Sequence, residues 1–227
     1  MKNAVLTLKS QMPWMKSELH RWLAASMLFS VLLVLARTVY TGERVMFFLV
    51  WNLFLAYVPY FITNWLQFNP DWIQKRWKFA GAFLCWLLFI PNSFYILTDL
   101  FHLRSYWTMP MWYDLALLLS FAWNGLLLGI ISVRQMERIM RLLVRYKHEM
   151  YFIVPIICLN AFGIYIGRYL RFNSWDIIAS PFSLAIDILN ILIHPITYIN
   201  AWGMIGLYTF LLCFIYITIQ QINKPAN

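Results

Sequence analysis

Six long stretches of apolar residues constrain this chain more than any other feature of its sequence. A helix that crosses the roughly 30 Å hydrocarbon core of a bilayer needs about 20 mostly apolar residues. Five of the stretches contain no Asp, Glu, Lys or Arg, and the first contains only Arg37, close enough to its end for the guanidinium to reach the headgroups. The predicted spans are residues 22–40, 45–66, 79–97, 115–133, 150–166 and 201–219.

The composition excludes a soluble domain. Of the 227 residues, 62% are apolar and only 12% are charged, whereas charged residues make up about 25% of a typical soluble domain. We therefore predict an all-α polytopic integral membrane helix bundle. The basic residues 1–21 are predicted to be an uncleaved cytoplasmic N-terminus, and residues 220–227 a cytoplasmic tail.

Positively charged residues favour one orientation, because loops rich in Lys and Arg stay in the cytoplasm. With the N-terminus inside, the inner face carries the whole net charge of +9. We expect both termini to be cytoplasmic, and we expect the positive charge to meet anionic lipid and not nucleic acid. The basic residues on the inner side are then Lys2, Lys9, Lys16, Arg21, Lys75, Arg76, Lys78, Arg134, Arg138, Arg141, Arg145, Lys147 and Lys224.

One cytoplasmic loop has a helical pattern. Its arginines recur at steps of four, three and four, which places them on one face of a helix. We interpret the segment as an extension of the fourth span or as a surface helix, with its arginines at anionic lipid headgroups. A specific lipid or membrane-protein docking site is the alternative. The arginines are Arg134, Arg138, Arg141 and Arg145.

A second short apolar segment, residues 181–194, lies between Pro181 and Pro195. Asp187, Asn190 and His194 form a narrow polar stripe at helical spacing. We predict an interfacial helix, although a helix that re-enters or spans the membrane is also compatible with the pattern. A spanning helix would move the C-terminus outside.

Polar residues interrupt the apolar stretches at their predicted outer ends. Asn92, Tyr95, Asp99 and His102 recur at steps of three, four and three, so on one helix they form a single stripe. Asp114 lies just before the fourth span, in the first turn of a helix that begins at Trp112. Ionisable groups at membrane depth favour a functional interpretation. Candidate catalytic residues are Asp99, His102 and Asp114; candidate substrate-binding residues are Asn92, Tyr95, Tyr113, Arg168, Arg171, Asn173 and Asp176.

Carboxylates and an imidazole could together hold a divalent cation, and arginines could bind phosphate through two parallel hydrogen bonds. No cofactor motif is evident, and the identity of any metal stays open. A purely structural interpretation is also available. Asp114 could complement the positive end of a helix dipole, and asparagines and glycines could hold helices together. The residues concerned are Asn52, Asn92, Asn124 and Asn160, with Gly125 and Gly129.

The same residues resemble a known family. The blocks are Pro91-Asn92, Tyr95-Ile-Leu-Thr-Asp99, Trp112-Tyr113-Asp114, and Gly167-Arg168 followed by Asn173-Ser-Trp-Asp176. They resemble the bacterial multi-pass membrane proteins catalogued as domain of unknown function 1361, from about the second helix to the last. The resemblance implies a bacterial plasma-membrane protein of about six helices and supplies no activity or substrate. Ser93-Phe94 departs from the expected small residue and second proline, so helix three would bend less.

Three functions are compatible with these features. The first is a non-catalytic or accessory component of the cell envelope, with an outward-facing polar cluster. The second is a membrane enzyme acting on a lipid-linked or phosphate-bearing headgroup at the outer face. The third is a small-solute transporter, for which the asparagines would provide only a thin polar path.

Overall fold

A computed structural model of the chain describes residues 13–103, 109–144, 148–172 and 176–222. Within these ranges the elements are helical and no strand occurs, which confirms the all-α class. Short 3-10 helices cover Val45–Phe47 and Ile96–His102, and a π-helical turn covers Ile166–Leu170. The α-helices are α1 (Pro13–Thr41), α2 (Phe48–Phe68), α3 (Pro70–Gln74), α4 (Arg76–Tyr95), α5 (Met111–Leu143), α6 (Met150–Tyr165), α7 (Asp176–Ala179), α8 (Pro181–Ile193) and α9 (Ile199–Ile222).

Six helical segments in the described part of the chain are long and apolar enough to cross a membrane. Each contains one of the six stretches predicted from the sequence. This is the architecture of a multi-pass membrane protein. The segments are Glu18–Thr41, Val45–Phe68, Arg76–His102, Met111–Leu143, Met150–Leu170 and Ile199–Ile222.

Two helices, α5 and α8, differ in length from a simple membrane span. Helix α5 runs for 33 residues without a break, so the segment that carries Arg134, Arg138 and Arg141 is an extension of the fourth span and not a separate surface helix. Arg145 lies outside the described residues. Helix α8 has 13 residues, about 20 Å of helix, which is too short to cross the core. Its interfacial location stays a prediction.

The chain divides into two compact units, residues 1–145 and 146–227. In the first unit, α5 packs against α1, α2 and α4, and α2 packs along α4. Apolar side chains fill the space between these helices, as expected for helices that are apolar on all sides. Fully buried members include Val34, Leu49, Leu117, Phe121 and Leu128.

Glycines bring α4 and α5 into close contact, as the sequence predicts. A Cβ atom on Gly125 would lie 2.6 Å from the backbone oxygen of Ser93. A Cβ atom on Gly129 would lie 2.7 Å from the ring of Phe94. Small residues at such positions let helix backbones approach each other inside a membrane.

The second unit is built on α6 packed along α9. Buried aliphatic side chains lie on both helices, including Ile153, Ile157 and Ile164 on α6 and Ile205 on α9. Helix α8 is joined to α9 by a hydrogen bond from the indole nitrogen of Trp202 to the carbonyl of Ile191, at 3.2 Å.

Candidate functional site

An ion pair lies buried at the end of the first unit where α1 ends and α5 begins, here called the Asp114 end. Arg37 Nε donates to Asp114 Oδ1 at 2.8 Å, and Arg37 Nη2 donates to Oδ2 at 3.4 Å. Both side chains are 1% exposed. Two parallel hydrogen bonds fix the carboxylate and the guanidinium in one plane. A third charge lies nearby: Glu43 Oε2 is a buried atom 3.7 Å from Arg37 Nη1, on a side chain that is 36% exposed.

The prediction that Arg37 reaches the headgroups is wrong. The guanidinium turns into the bundle because a carboxylate on the neighbouring helix compensates its charge there. Two opposite charges in hydrogen-bonding contact need less hydration than either charge alone. The sequence did contain a signal for this pair, since Arg37 lies inside the first apolar stretch and Asp114 immediately precedes the fourth.

Two neutral contacts add to the attachment of α1 to α5. The hydroxyl of Tyr113 donates to the backbone oxygen of Leu33 at 2.9 Å. Deeper in the bundle, Asn124 Nδ2 donates to Ser30 Oγ at 3.0 Å and to the carbonyl of Ser26 at 3.2 Å. Asn124 therefore bonds between helices, as the structural interpretation of the asparagines predicts.

A second acidic residue at this end, Asp99, is bonded to α2. Asn52 Nδ2 donates to Asp99 Oδ2 at 2.8 Å. The Asp99 side chain is 2% exposed, and His102 Nδ1 lies 4.0 Å from its other oxygen. The imidazole itself is 43% exposed and packs against the ring of Phe48, with 5.0 Å between centroids.

The backbone explains the pairing of Asp99 with His102. Helix α4 changes at Ile96 into a 3-10 helix that ends at His102. Residues three apart eclipse each other in a 3-10 helix, so His102 lies directly over Asp99. The predicted α-helical stripe is thus interrupted. Below the change, Asn92 Nδ2 donates to the carbonyl of Phe89 at 3.0 Å, and Tyr95 is half-buried.

The remaining candidate residues belong to the second unit. Arg168 lies half-buried in the π-helical turn at the end of α6. Arg171 is exposed and adopts a left-handed conformation with φ of 61°, which ends the helix. Asp176 is half-buried in the first turn of α7. Asn173 lies outside the described residues.

A polar network that was not predicted from the sequence lies at the opposite end of the first unit. Thr63 on α2 donates to Gln135 Oε1 on α5 at 2.7 Å and lies 3.3 Å from Ser132 Oγ. The indole nitrogen of Trp86 on α4 donates to the same Ser132 oxygen at 2.8 Å. These four buried side chains join three helices through neutral hydrogen bonds. Only the rotation of each helix brings them together, and the sequence does not display that rotation.

No group of three or more His, Cys, Asp or Glu side chains suited to a metal ion occurs among the described residues. What the Asp114 end provides is charge compensation between helices. Its acidic groups accept hydrogen bonds from an arginine and an asparagine, and an imidazole lies at the surface beside one of them.

The family assignment rests on a match over residues 51–215 to DUF1361, described as a protein of unknown function. The match covers more than half of the chain. The chain belongs to the DUF1361 family. No curated protein and no solved structure matches it.

The DUF1361 match includes Asp99, His102 and Asp114 but begins after Arg37. The arginine that neutralises Asp114 therefore lies on a helix that precedes the matched region. In this DUF1361 protein, α1 supplies the charge that α5 needs at its first turn.

Proposed function

We propose that this DUF1361 protein is a non-catalytic accessory component of a bacterial cell envelope, in which the polar side chains of the Asp114 end stabilise the helix bundle. One observation carries the proposal. The Asp114 carboxylate is 1% exposed and accepts hydrogen bonds from a guanidinium that is equally buried. A catalytic carboxylate must meet its substrate, and this one meets Arg37.

The state of Asp99 supports the same conclusion. Its carboxylate is also buried, and an asparagine amide from α2 donates to one of its oxygens. Polar groups inside a membrane protein are costly unless they are paired. Pairing between elements gives both carboxylates a hydrogen-bond donor and at the same time selects one arrangement of α1 with α5 and of α2 with the 3-10 segment after α4.

The charge distribution supports an orientation for this component. The Asp114 end would face outward in the plasma membrane, with both termini in the cytoplasm. The end of the first unit that carries Lys75, Arg76 and Arg134 would then lie inside, as expected for loops rich in basic residues. An accessory role implies a membrane-protein partner in the same envelope.

The test compares lipid and wall-polymer profiles of a deletion strain that re-expresses the wild type or Asp99→Asn/His102→Ala. We expect the variant to give the wild-type profiles at equal protein levels. Asp187→Asn/His194→Ala is the matched control, because it removes the same two residue types from α8 and the residue that follows it. If the strain with Asp99→Asn/His102→Ala had the profiles of the deletion strain and the control did not, a non-catalytic role would be contradicted.

A second candidate, an enzyme acting on a lipid-linked or phosphate-bearing headgroup, has one observation in its favour. His102 is a partly exposed imidazole whose Nδ1 lies 3.2 Å from the backbone oxygen of Asp99, and a hydrogen bond there would orient the ring as a general base requires. The profile comparison separates the two candidates, because only the enzyme requires His102 for a change in envelope chemistry.

A further inference from the structure

Helix α5 is longer than a bilayer core is thick. Its 33 residues correspond to about 50 Å of helix, against roughly 30 Å of hydrocarbon. From Asp114, buried in its first turn, 20 residues lead to Arg134, which at 1.5 Å per residue is about 30 Å. Arg134 therefore marks the other edge of the core, and the following residues extend beyond it.

The extension has two different faces. Met136 and Ile139 are fully buried, at 0% and 1% exposure. On an ideal helix with about 100° per residue, Arg134, Arg138 and Arg141 fall within an arc of about 60° on the opposite side. Arg138 and Arg141 are exposed and Arg134 is half-buried. Packing of the apolar face thus fixes the direction in which the arginines point.

The arginine face carries net positive charge. It holds three arginines and one carboxylate, Glu137, which accepts from Arg141 Nε at 2.9 Å. Arg134 and Arg138 are one helical turn apart, about 6 Å along the axis. The headgroup layer on each side of the core is about 5–7 Å thick. With Asp114 placed at one edge of the hydrocarbon core, both guanidiniums would lie at the depth of the lipid phosphates.

We propose that the Arg134–Arg138 face of the α5 extension binds the phosphate of anionic phospholipid headgroups at the inner surface of the membrane. A guanidinium binds a phosphate through two parallel hydrogen bonds, and its apolar stem covers the adjacent chain region. The proposal rests on the membrane depth of α5 and not on the accessory role, so the failure of one leaves the other intact.

The test uses the full chain purified in neutral detergent and titrated with dansyl-labelled phosphatidylglycerol or phosphatidylcholine. Binding is followed by energy transfer from tryptophan. We expect the wild type to prefer phosphatidylglycerol and Arg134→Gln/Arg138→Gln to lose about 25-fold in affinity for it. This figure corresponds to about fivefold per basic residue near an anionic surface.

The matched control is Lys75→Gln/Arg76→Gln, which removes two exposed charges at the same end. We expect it to change the affinity less than about twofold, because these residues are not on the α5 face and so do not make the two parallel hydrogen bonds that hold the phosphate. If the double arginine variant is not monodisperse, Arg138→Gln alone is titrated, with an expected loss of about fivefold.

Three results would overturn the proposal. One is equal affinity of the wild type for the two lipids. Another is an equal loss in the variant and in its control, which would indicate general charge attraction without a site. The third is unchanged lipid affinity together with release of a co-purifying protein, which would assign the face to a protein partner.

Discussion

The two ends of the first unit hold α5 in different ways. At the Asp114 end an arginine and an aspartate, both 1% exposed, join α1 to α5 at 2.8 Å. At the opposite end, neutral bonds from Thr63 and Trp86 join α2 and α4 to the same helix. A charged contact there, Arg21 with Glu18, lies within α1, and its two side chains are 73% and 62% exposed.

This difference indicates where the bundle is vulnerable. Removing one partner of a buried ion pair leaves a charge without compensation, which costs several kcal/mol. Removing one partner of a neutral hydrogen bond inside a membrane costs about 0.6 kcal/mol on average. An ion pair exposed to water contributes little to the free energy of unfolding, because water screens the two charges. The expected losses in the free energy of unfolding fall in that order.

The largest effect is expected for Arg37→Met. The substitution leaves the buried carboxylate of Asp114 without its guanidinium, and we expect a loss of about 3–5 kcal/mol in the free energy of unfolding. Thermal unfolding in mild detergent, followed by size-exclusion chromatography, measures it. Arg44→Met is the control, because Arg44 is exposed; equal losses in both variants would remove the special role of Arg37.

Gly125→Ala tests the close contact that lies between the two ends. The new Cβ would lie 2.6 Å from the backbone oxygen of Ser93, and a backbone atom cannot move aside without shifting α4. We expect a loss of about 1–3 kcal/mol in the same assay. Gly81→Ala is the matched control, with no atom within 4 Å of the added methyl, and should be neutral or stabilising.

Thr63→Val tests the neutral network. The valine keeps the shape of threonine but removes the hydroxyl that bonds Gln135 and Ser132. We expect the free energy of unfolding to fall by about 0.6–1.7 kcal/mol. The shift in the unfolding midpoint measures this loss. Thr38→Val, whose hydroxyl bonds only to its own helix through Val34, should lose less. A larger loss for Thr38→Val would show that the network does not join the helices.

The smallest effect is expected for Arg21→Gln. Arg21 and Glu18 are both more than half exposed, and a glutamine can still donate to Glu18, so we expect a loss of about 0.5 kcal/mol. Raising the salt concentration should shrink the difference between the two proteins. A loss as large as that of Arg37→Met would contradict the comparison, because a buried and an exposed ion pair would then contribute equally to stability.

Much of the fold could be predicted from the sequence, because apolar stretches of spanning length leave few alternatives in a bilayer. The close approach at Gly125 and Gly129 also followed from their spacing. The length of α5 was only partly predicted. The arginine pattern indicated a helix, but a periodic pattern does not state whether a helix is continuous with the span before it.

The candidate site was harder to predict. The sequence pattern indicated Asp99, His102 and Asp114 as candidate catalytic residues, but it led us to expect Arg37 at the membrane surface. Which polar residues pair depends on the rotation of each helix about its axis, and hydropathy contains no information on rotation for helices that are apolar all round. The 3-10 segment that stacks His102 on Asp99 is a local change in backbone that the spacing alone does not reveal.

A double-mutant cycle on Arg37 and Asp114 tests most directly that the Asp114 end is structural. The variants are Arg37→Met, Asp114→Leu and the two together, each followed by thermal unfolding in the same detergent. Because two apolar side chains can replace a buried ion pair at little cost, we expect the double variant to unfold near the wild-type temperature although each single variant is strongly destabilised. Additive losses in the double variant would contradict the account, because they would show that the two charges act independently.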